Sequence, residues 1–132
     1  MNARNSEGYH DLTAAEAVRN ASTFGYRPIV YVCSPYSGDT EENQKKARRY
    51  SRYAVDRGYI PIAPHLLLPQ YMKEETEREL AMFMDLAILS KCAELWVFGD
   101  RISTGMKAEI ARAKHKGMKV RYIAEEEIYV RS

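Results

Sequence analysis

Apolar residues fall along this chain in short runs, separated by longer stretches in which they recur every three or four positions. Ile29-Val-Tyr-Val-Cys33 is apolar and β-branched throughout, the pattern of a strand buried on both faces. Tyr59 to Ala63, Glu94 to Phe98 and Lys119 to Ile123 predict three further strands. Pro61 assigns the second of them to a sheet edge, because proline cannot donate to a ladder. Between the strands the spacing is helical. Ala47, Tyr50, Ala54 and Val55 share one side of a segment that starts at Asp39 or Thr40 and runs to about Arg57. Leu80, Phe83, Met84, Ala87 and Ile88 do the same between Lys73 and about Lys91, and Thr104 to His115 predicts another helix, with Gly58 and Gly117 as stops. Upstream, Thr13-Ala-Ala-Glu16 reads as a capping box that opens a short helix to about Ser22, after a polar and mobile start over residues 1–12. Pro64 to Pro69 reads as a loop. Glu125-Glu-Glu127 opens a tail or a last turn that the pattern does not place.

Alternating strands and helices predict an α/β fold: a mostly parallel sheet of four to five strands, covered by helices on both sides. Right-handed crossovers would bring every strand's C-terminal end to one edge. A chain of 132 residues is the size of one domain, here residues 29–132, with residues 1–28 as an N-terminal extension. Composition narrows the function rather than the fold. Twenty Lys plus Arg against eighteen Asp plus Glu leaves a net charge of +2, without the basic excess expected of a nucleic-acid polymer binder. The apolar runs are too short to span a membrane, and Met1 to Gly8 lacks the apolar core of a signal peptide, so a soluble, cytoplasmic protein is expected. Cys33 and Cys92 have neither CxxC spacing nor disulfide density and read as structural thiols. His65 has no metal-ligand spacing to His10 or His115, so no metal site is predicted.

The loops that follow the strands collect the candidate chemistry. Ser34, Ser37 and Gly38 offer hydroxyls and close backbone approach to a phosphate or sugar, or form a simple turn; neither Walker nor GxGxxG spacing is present. Glu109 stands in the first turns of the helix after the third strand, where the dipole favours an ionised carboxylate suited to a nucleophile. Alternatively it is a surface acid behind a Ser103 or Thr104 cap. Asp85 falls among Phe83, Met84, Leu86, Ala87, Ile88 and Leu89, where an acid needs a partner or a ligand unless it points outward. Tyr31 in the first strand is core packing or part of a site. Tyr50, Tyr53 and Tyr59 pack helix against sheet, and Lys45, Lys46, Arg48, Arg49 and Arg52 form a solvated face.

Taken together, Val30-Tyr-Val-Cys-Ser-Pro-Tyr-Ser37, the Asp85 helix, the strand Leu95 to Phe98 and Ser103-Thr-Gly-Met-Lys-Ala-Glu109 resemble the nucleoside 2-deoxyribosyltransferase superfamily. The likeness covers roughly residues 29 to 123, and within it the chain resembles small bacterial and phage proteins marked by a strand followed by S-x-G-M-x-x-E. The resemblance implies a Rossmann-like, flavodoxin-like three-layer sandwich. It further implies Glu109 as the nucleophile that attacks C1', Asp85 as the acid that assists at the leaving base, and Tyr31 as a residue that positions the nucleophile. Superfamily transferases carry an Asp six residues before the nucleophile to hold the sugar 5'-hydroxyl, whereas the nucleoside 5'-monophosphate N-glycosidases carry a serine there. This chain has Ser103, which with Gly105 and Met106 of the motif and with Ser34, Ser37 and Gly38 would bind the substrate. A hydroxyl at a helix N-terminus donates to a phosphate that a carboxylate would repel. The hydrolases differ in having a glycine-rich first loop with an arginine where this chain has Pro35-Tyr36. The implied reaction needs no cofactor. Its partner is a small nucleotide or nucleoside, and a homodimer or higher homo-oligomer is implied as well. A nucleotide-binding or sensing module with the same cleft is the alternative.

Overall fold

The computed structural model describes residues 12–130, so His10 and all but the last residue of the start expected over residues 1–12 lie outside the described residues. In chain order the elements are α1 (Ala14–Ser22), β1 (Ile29–Cys33), α2 (Thr40–Asp56), β2 (Ile60–Ile62), α3 (Pro64–Leu67), α4 (Glu74–Leu89), β3 (Glu94–Phe98), α5 (Thr104–His115), β4 (Lys119–Ile123) and α6 (Glu125–Val130). The limits of β1, β3, β4 and α5 are those the sequence predicts. One expectation is corrected, and one segment left unplaced is assigned. Pro64 to Leu67 is helical rather than a loop: Pro64 occupies the first helical position, where its missing N–H costs nothing, and a 3-10 turn over Leu68–Gln70 takes up Pro69 in the same way. The residues after β4 form α6, whose first turn carries Glu125, Glu126 and Glu127 against the positive end of its dipole.

All four strands run parallel, in the order β2-β1-β3-β4, which gives a Rossmann-like sheet. β2 lies at an edge, with Pro61 opposite Val30. The chain leaves β1 toward one edge and returns through β3 toward the other, so the C-terminal ends of β1 and β3 flank the point where strand order reverses, the place where ligands bind in such sheets.

Strand alternation divides the core in two. Val30, Val32, Trp96 and Phe98 pack with Tyr50, Tyr53 and Ala54 of α2, with Tyr59 and with Ile128 of α6. Tyr31, Cys33, Leu95 and Val97 pack with Leu89 of α4 and with Met106 and Ala113 of α5. Trp96 is the only tryptophan in the chain. It is 0% exposed, its Nε1–H donates to Glu94 Oε1 at 2.8 Å, and its ring lies against Tyr59 and the Arg121 guanidinium. By contrast α1, although it forms the predicted capping box, buries none of its residues. Thr13 Oγ1 accepts from the Glu16 N–H at 3.1 Å, and Glu16 Oε1 accepts from the Thr13 N–H at 2.9 Å.

Candidate active site

On the α4 and α5 side of the sheet, β1 presents Tyr31 and Cys33 toward Glu109 of α5. The Tyr31 hydroxyl donates to Glu109 Oε2 at 2.6 Å, across 78 positions of sequence, and both residues are almost wholly buried. Burial pushes the Glu109 carboxyl above the ordinary range, while hydrogen bonds from Tyr31 and from the Cys33 thiol oppose that rise. The Tyr31 phenol and the Cys33 thiol are both pushed up by their own burial, next by the neighbouring Glu109 charge, and so stay protonated as donors. Asp85 of α4 is 6% exposed, and its Oδ1 has no hydrogen-bond partner. Burial raises its pKa from the ordinary 3.8 to about 7, and the charges of Glu109 and Glu74 add to that. Two buried acids that feel one another, one bonded by a phenol and the other with an oxygen unbonded, titrate as a coupled pair, and the phenol favours the charged form of Glu109.

Asp85 and Glu109 line a cleft of about 420 Å³, together with Ser37, Ser103, Gly105 and Met106 of the predicted set. Tyr31, Ser34 and Gly38 do not line it. Tyr31 acts on the cleft through Glu109, and Ser34, the first residue after β1, is buried with its Oγ unpartnered. Gly38 has φ of 101°, a backbone conformation that side chains rarely adopt, so its place in the loop follows from the turn. Gly105 lies at the cleft wall against α4, where a Cβ would stand 3.4 Å from Met82 Cε, an ordinary contact with the end of a flexible side chain. Ser103 is the N-cap of α5, its Oγ accepting from the Met106 N–H at 3.3 Å, while Met106 Sδ accepts from the Ser103 N–H at 3.4 Å. A capping hydroxyl spends a lone pair, and its proton remains free to donate to a ligand.

The structure adds residues that the sequence did not single out. Lys73, Arg78, Arg101 and Lys107 all line the cleft. Arg78 pairs with Glu74 at 3.7 Å, whereas Arg101 and Lys107 make no ion pair among the described residues. Arg101 lies in the loop between β3 and α5, so its position was visible in the sequence although its side chain was not chosen. Nothing in the sequence marks Arg78, which reads as one more charge at the start of a helix. His65, expected in a loop, is carried into the cleft wall by α3, where its ring stacks on Tyr36 with centroids 4.9 Å apart. Its Nε2 lies 2.9 Å from the Ser34 carbonyl, an acceptor only, so Nε2 carries the proton; burial lowers its pKa and keeps the ring neutral near pH 7. Among the described residues no three His, Cys, Asp or Glu side chains are grouped to hold a metal ion, and no helix is long and apolar enough to cross a membrane.

Comparison with known proteins adds a family and a fold. Residues 28–123 match the family model described as "Domain of unknown function (DUF7768)". No curated protein matches the chain. Among solved structures, the fold is similar to that of a 2-deoxyribosyltransferase from the psychrotolerant bacterium Bacillus psychrosaccharolyticus, described as a biocatalyst for the synthesis of antiviral and antitumoral nucleosides. The TM-score is 0.58 at 20% identity, over 73% of this chain and 72% of that one.

Proposed function

This chain belongs to the DUF7768 family, whose description assigns no activity, and we propose that it cleaves or transfers the N-glycosidic bond of a nucleoside 5'-monophosphate or nucleoside. The observation that carries the reading is the buried pair at one wall of the cleft: Glu109 bonded by the Tyr31 hydroxyl at 2.6 Å, and Asp85 beside it with a pKa of about 7. Glu109 attacks C1' as the C1'–N bond breaks, and Asp85 gives its proton to the departing base. This leaves a glycosyl ester on Glu109. Water, or a second base, then attacks C1', the ester bond breaks, and the proton released goes to Asp85. Two displacements at one carbon retain configuration. Tyr31 is a positioning residue that keeps Glu109 ionised and oriented.

Arg101 and Lys107 beside the Ser103 hydroxyl favour a phosphorylated substrate, since unpaired cations and a donor at a helix N-terminus suit an anion. They also supply the positive charge that Pro35-Tyr36 does not. Small nucleotides are intracellular metabolites, so a cytoplasmic location goes with this reading. A homodimer or higher homo-oligomer goes with it too, and Leu80 and Phe83 of α4, 51% and 69% exposed, offer an apolar face for one. Sedimentation of the protein is expected to show more than the monomer mass, and Phe83→Glu to reduce it.

The decisive experiment incubates wild type, Glu109→Ala and Glu109→Gln with a panel of nucleosides and nucleoside 5'-monophosphates and measures free base. The wild type is expected to release base, and the variants to lose at least about a thousandfold in rate, as removal of a nucleophile does. Undiminished release would remove Glu109 from the role. Tight binding without free base in the wild type would favour the sensing module. Adding an acceptor base separates a transferase, which forms an exchanged nucleoside, from a hydrolase.

A further inference from the structure

The loop Ser34 to Gly38 is tied to the body by side chains that the reaction above does not use. Asn43, on the buried side of α2 and 9% exposed, donates its amide to the Tyr36 carbonyl at 3.0 Å and to the Ser37 carbonyl at 3.2 Å. His65 holds the Ser34 carbonyl at 2.9 Å. Gln44, the next residue of α2, donates to the His65 carbonyl at 3.2 Å and braces that contact. In a planar trans peptide, the C=O of one residue and the N–H of the next point in opposite directions. No peptide bond among the described residues is cis. Turning the carbonyls of Tyr36 and Ser37 toward α2 therefore turns the N–H groups of Ser37 and Gly38 away from it. Both residues are exposed, and neither N–H has an acceptor among the described residues, so both are open to a ligand. The Ser34 hydroxyl, 1% exposed, is also without a partner. Tyr36 and Ser37 line the cleft formed with α4 and α5, whereas Gly38 and Asn43 do not.

We propose that Asn43 is a positioning residue that makes the first loop an anion-binding edge: by fastening the Tyr36 and Ser37 carbonyls to α2 it leaves the paired N–H groups, rather than those two oxygens, for the 5'-phosphate of a nucleotide. The proposal rests on reading the cleft as a nucleotide site. Asparagine suits the role because its amide supplies two hydrogens at the end of a short side chain. An aspartate of the same shape supplies none near neutral pH, repels both carbonyls and favours a flipped loop that shows oxygens to the cleft. The loop thus discriminates between a phosphate and a hydroxyl through its backbone, which explains how a chain without the glycine-rich, arginine-bearing loop still suits a phosphorylated substrate.

The test measures kcat and KM for base release from matched nucleosides and nucleoside 5'-monophosphates in wild type, Asn43→Asp and Asn43→Ala, with thermal unfolding of each. The expected result is a KM for the monophosphate that rises about tenfold or more in Asn43→Asp, the scale of one charge-assisted hydrogen bond, with kcat and the nucleoside reaction little changed. A merely structural role would lower both reactions alike. Retention of the wild-type preference for the monophosphate by both variants overturns the clamp and leaves the proposed reaction standing. A wild type that releases no base overturns the reaction instead. If the variants do not fold, amide resonances decide: titration of wild type with a nucleoside monophosphate is expected to shift the Ser37 and Gly38 N–H signals downfield. Static signals while the ligand binds overturn the proposal.

Discussion

A single oxygen-to-oxygen contact sets the chemistry of Glu109. Tyr31→Phe removes the 2.6 Å donor and leaves a buried carboxylate with only the weaker thiol beside it. The expected result is a further rise in the Glu109 pKa, a stability loss of about 1–3 kcal/mol and base release slowed about ten- to a hundredfold, read by calorimetry and kinetics. Asp85 gives two pH signatures. In the proposed reaction it must be protonated, so kcat/KM is expected to fall as pH rises through about 7, and Asp85→Asn to abolish that limb along with most of the rate. Its pKa is higher folded than unfolded, so the folded state binds the proton more tightly. The resulting stabilisation is complete below pH 4 and is lost as pH rises toward 7, by roughly 2–4 kcal/mol. Chemical denaturation across that window, read as the difference between wild type and Asp85→Asn, measures it. At this scale the sequence was readable wherever a residue violated its surroundings. Asp85 announced itself as an acid in an apolar helix, and Glu109 through its place after the third strand. Arg78 and Asn43 violated nothing, because a charge or an amide on a polar helix segment is ordinary until the fold brings a cleft or a loop against it.

Among the elements, the same capping chemistry has unequal consequences. Thr13 caps α1, and Asp39 caps α2 by accepting from the Glu42 N–H at 3.2 Å. α2 buries Asn43, Ala47, Tyr50, Tyr53 and Ala54, whereas α1 buries nothing. Asp39→Ala is therefore expected to cost about 1 kcal/mol of global stability. Thr13→Ala is expected to speed amide exchange in residues 14–17 without moving the thermal midpoint. Strand and helix limits were legible where an apolar run, a glycine stop followed by alternation, or a capping residue defined them, as in β1 and β3, in β4, and in α5. Pro64 and Pro69 misled because proline marks both loops and first helical turns, and only packing distinguishes the two. The three acids after β4 have no apolar period of their own, so α6 became visible only where Glu125 meets the Tyr50 hydroxyl and Ile128 joins the core.

Across the whole molecule, the boundary of the folded unit becomes an experiment. We infer that residues 29–132 are one domain and that the extension before them is dispensable, with one refinement. Pro28 supplies the carbonyl that accepts from the Ile60 N–H at 2.9 Å, and Arg27 reaches the Val55 carbonyl at 3.4 Å. Deletion through Phe24 is expected to leave the thermal midpoint within about 2 °C of the full chain, while deletion through Pro28 lowers it by several degrees, as the loss of about 1 kcal/mol does in a domain of this size. A large drop in the shorter deletion would show that the extension belongs to the fold.

The solitary indole of Trp96 carries a practical corollary. It sits at the centre of the sheet, in the dry layer beneath α2, while the cleft opens on the opposite face. Its emission is therefore a built-in gauge of global unfolding that is nearly blind to ligand. Denaturation of every variant above can be followed by fluorescence with nucleotide present or absent, without labelling and without the occupant of the cleft quenching the signal.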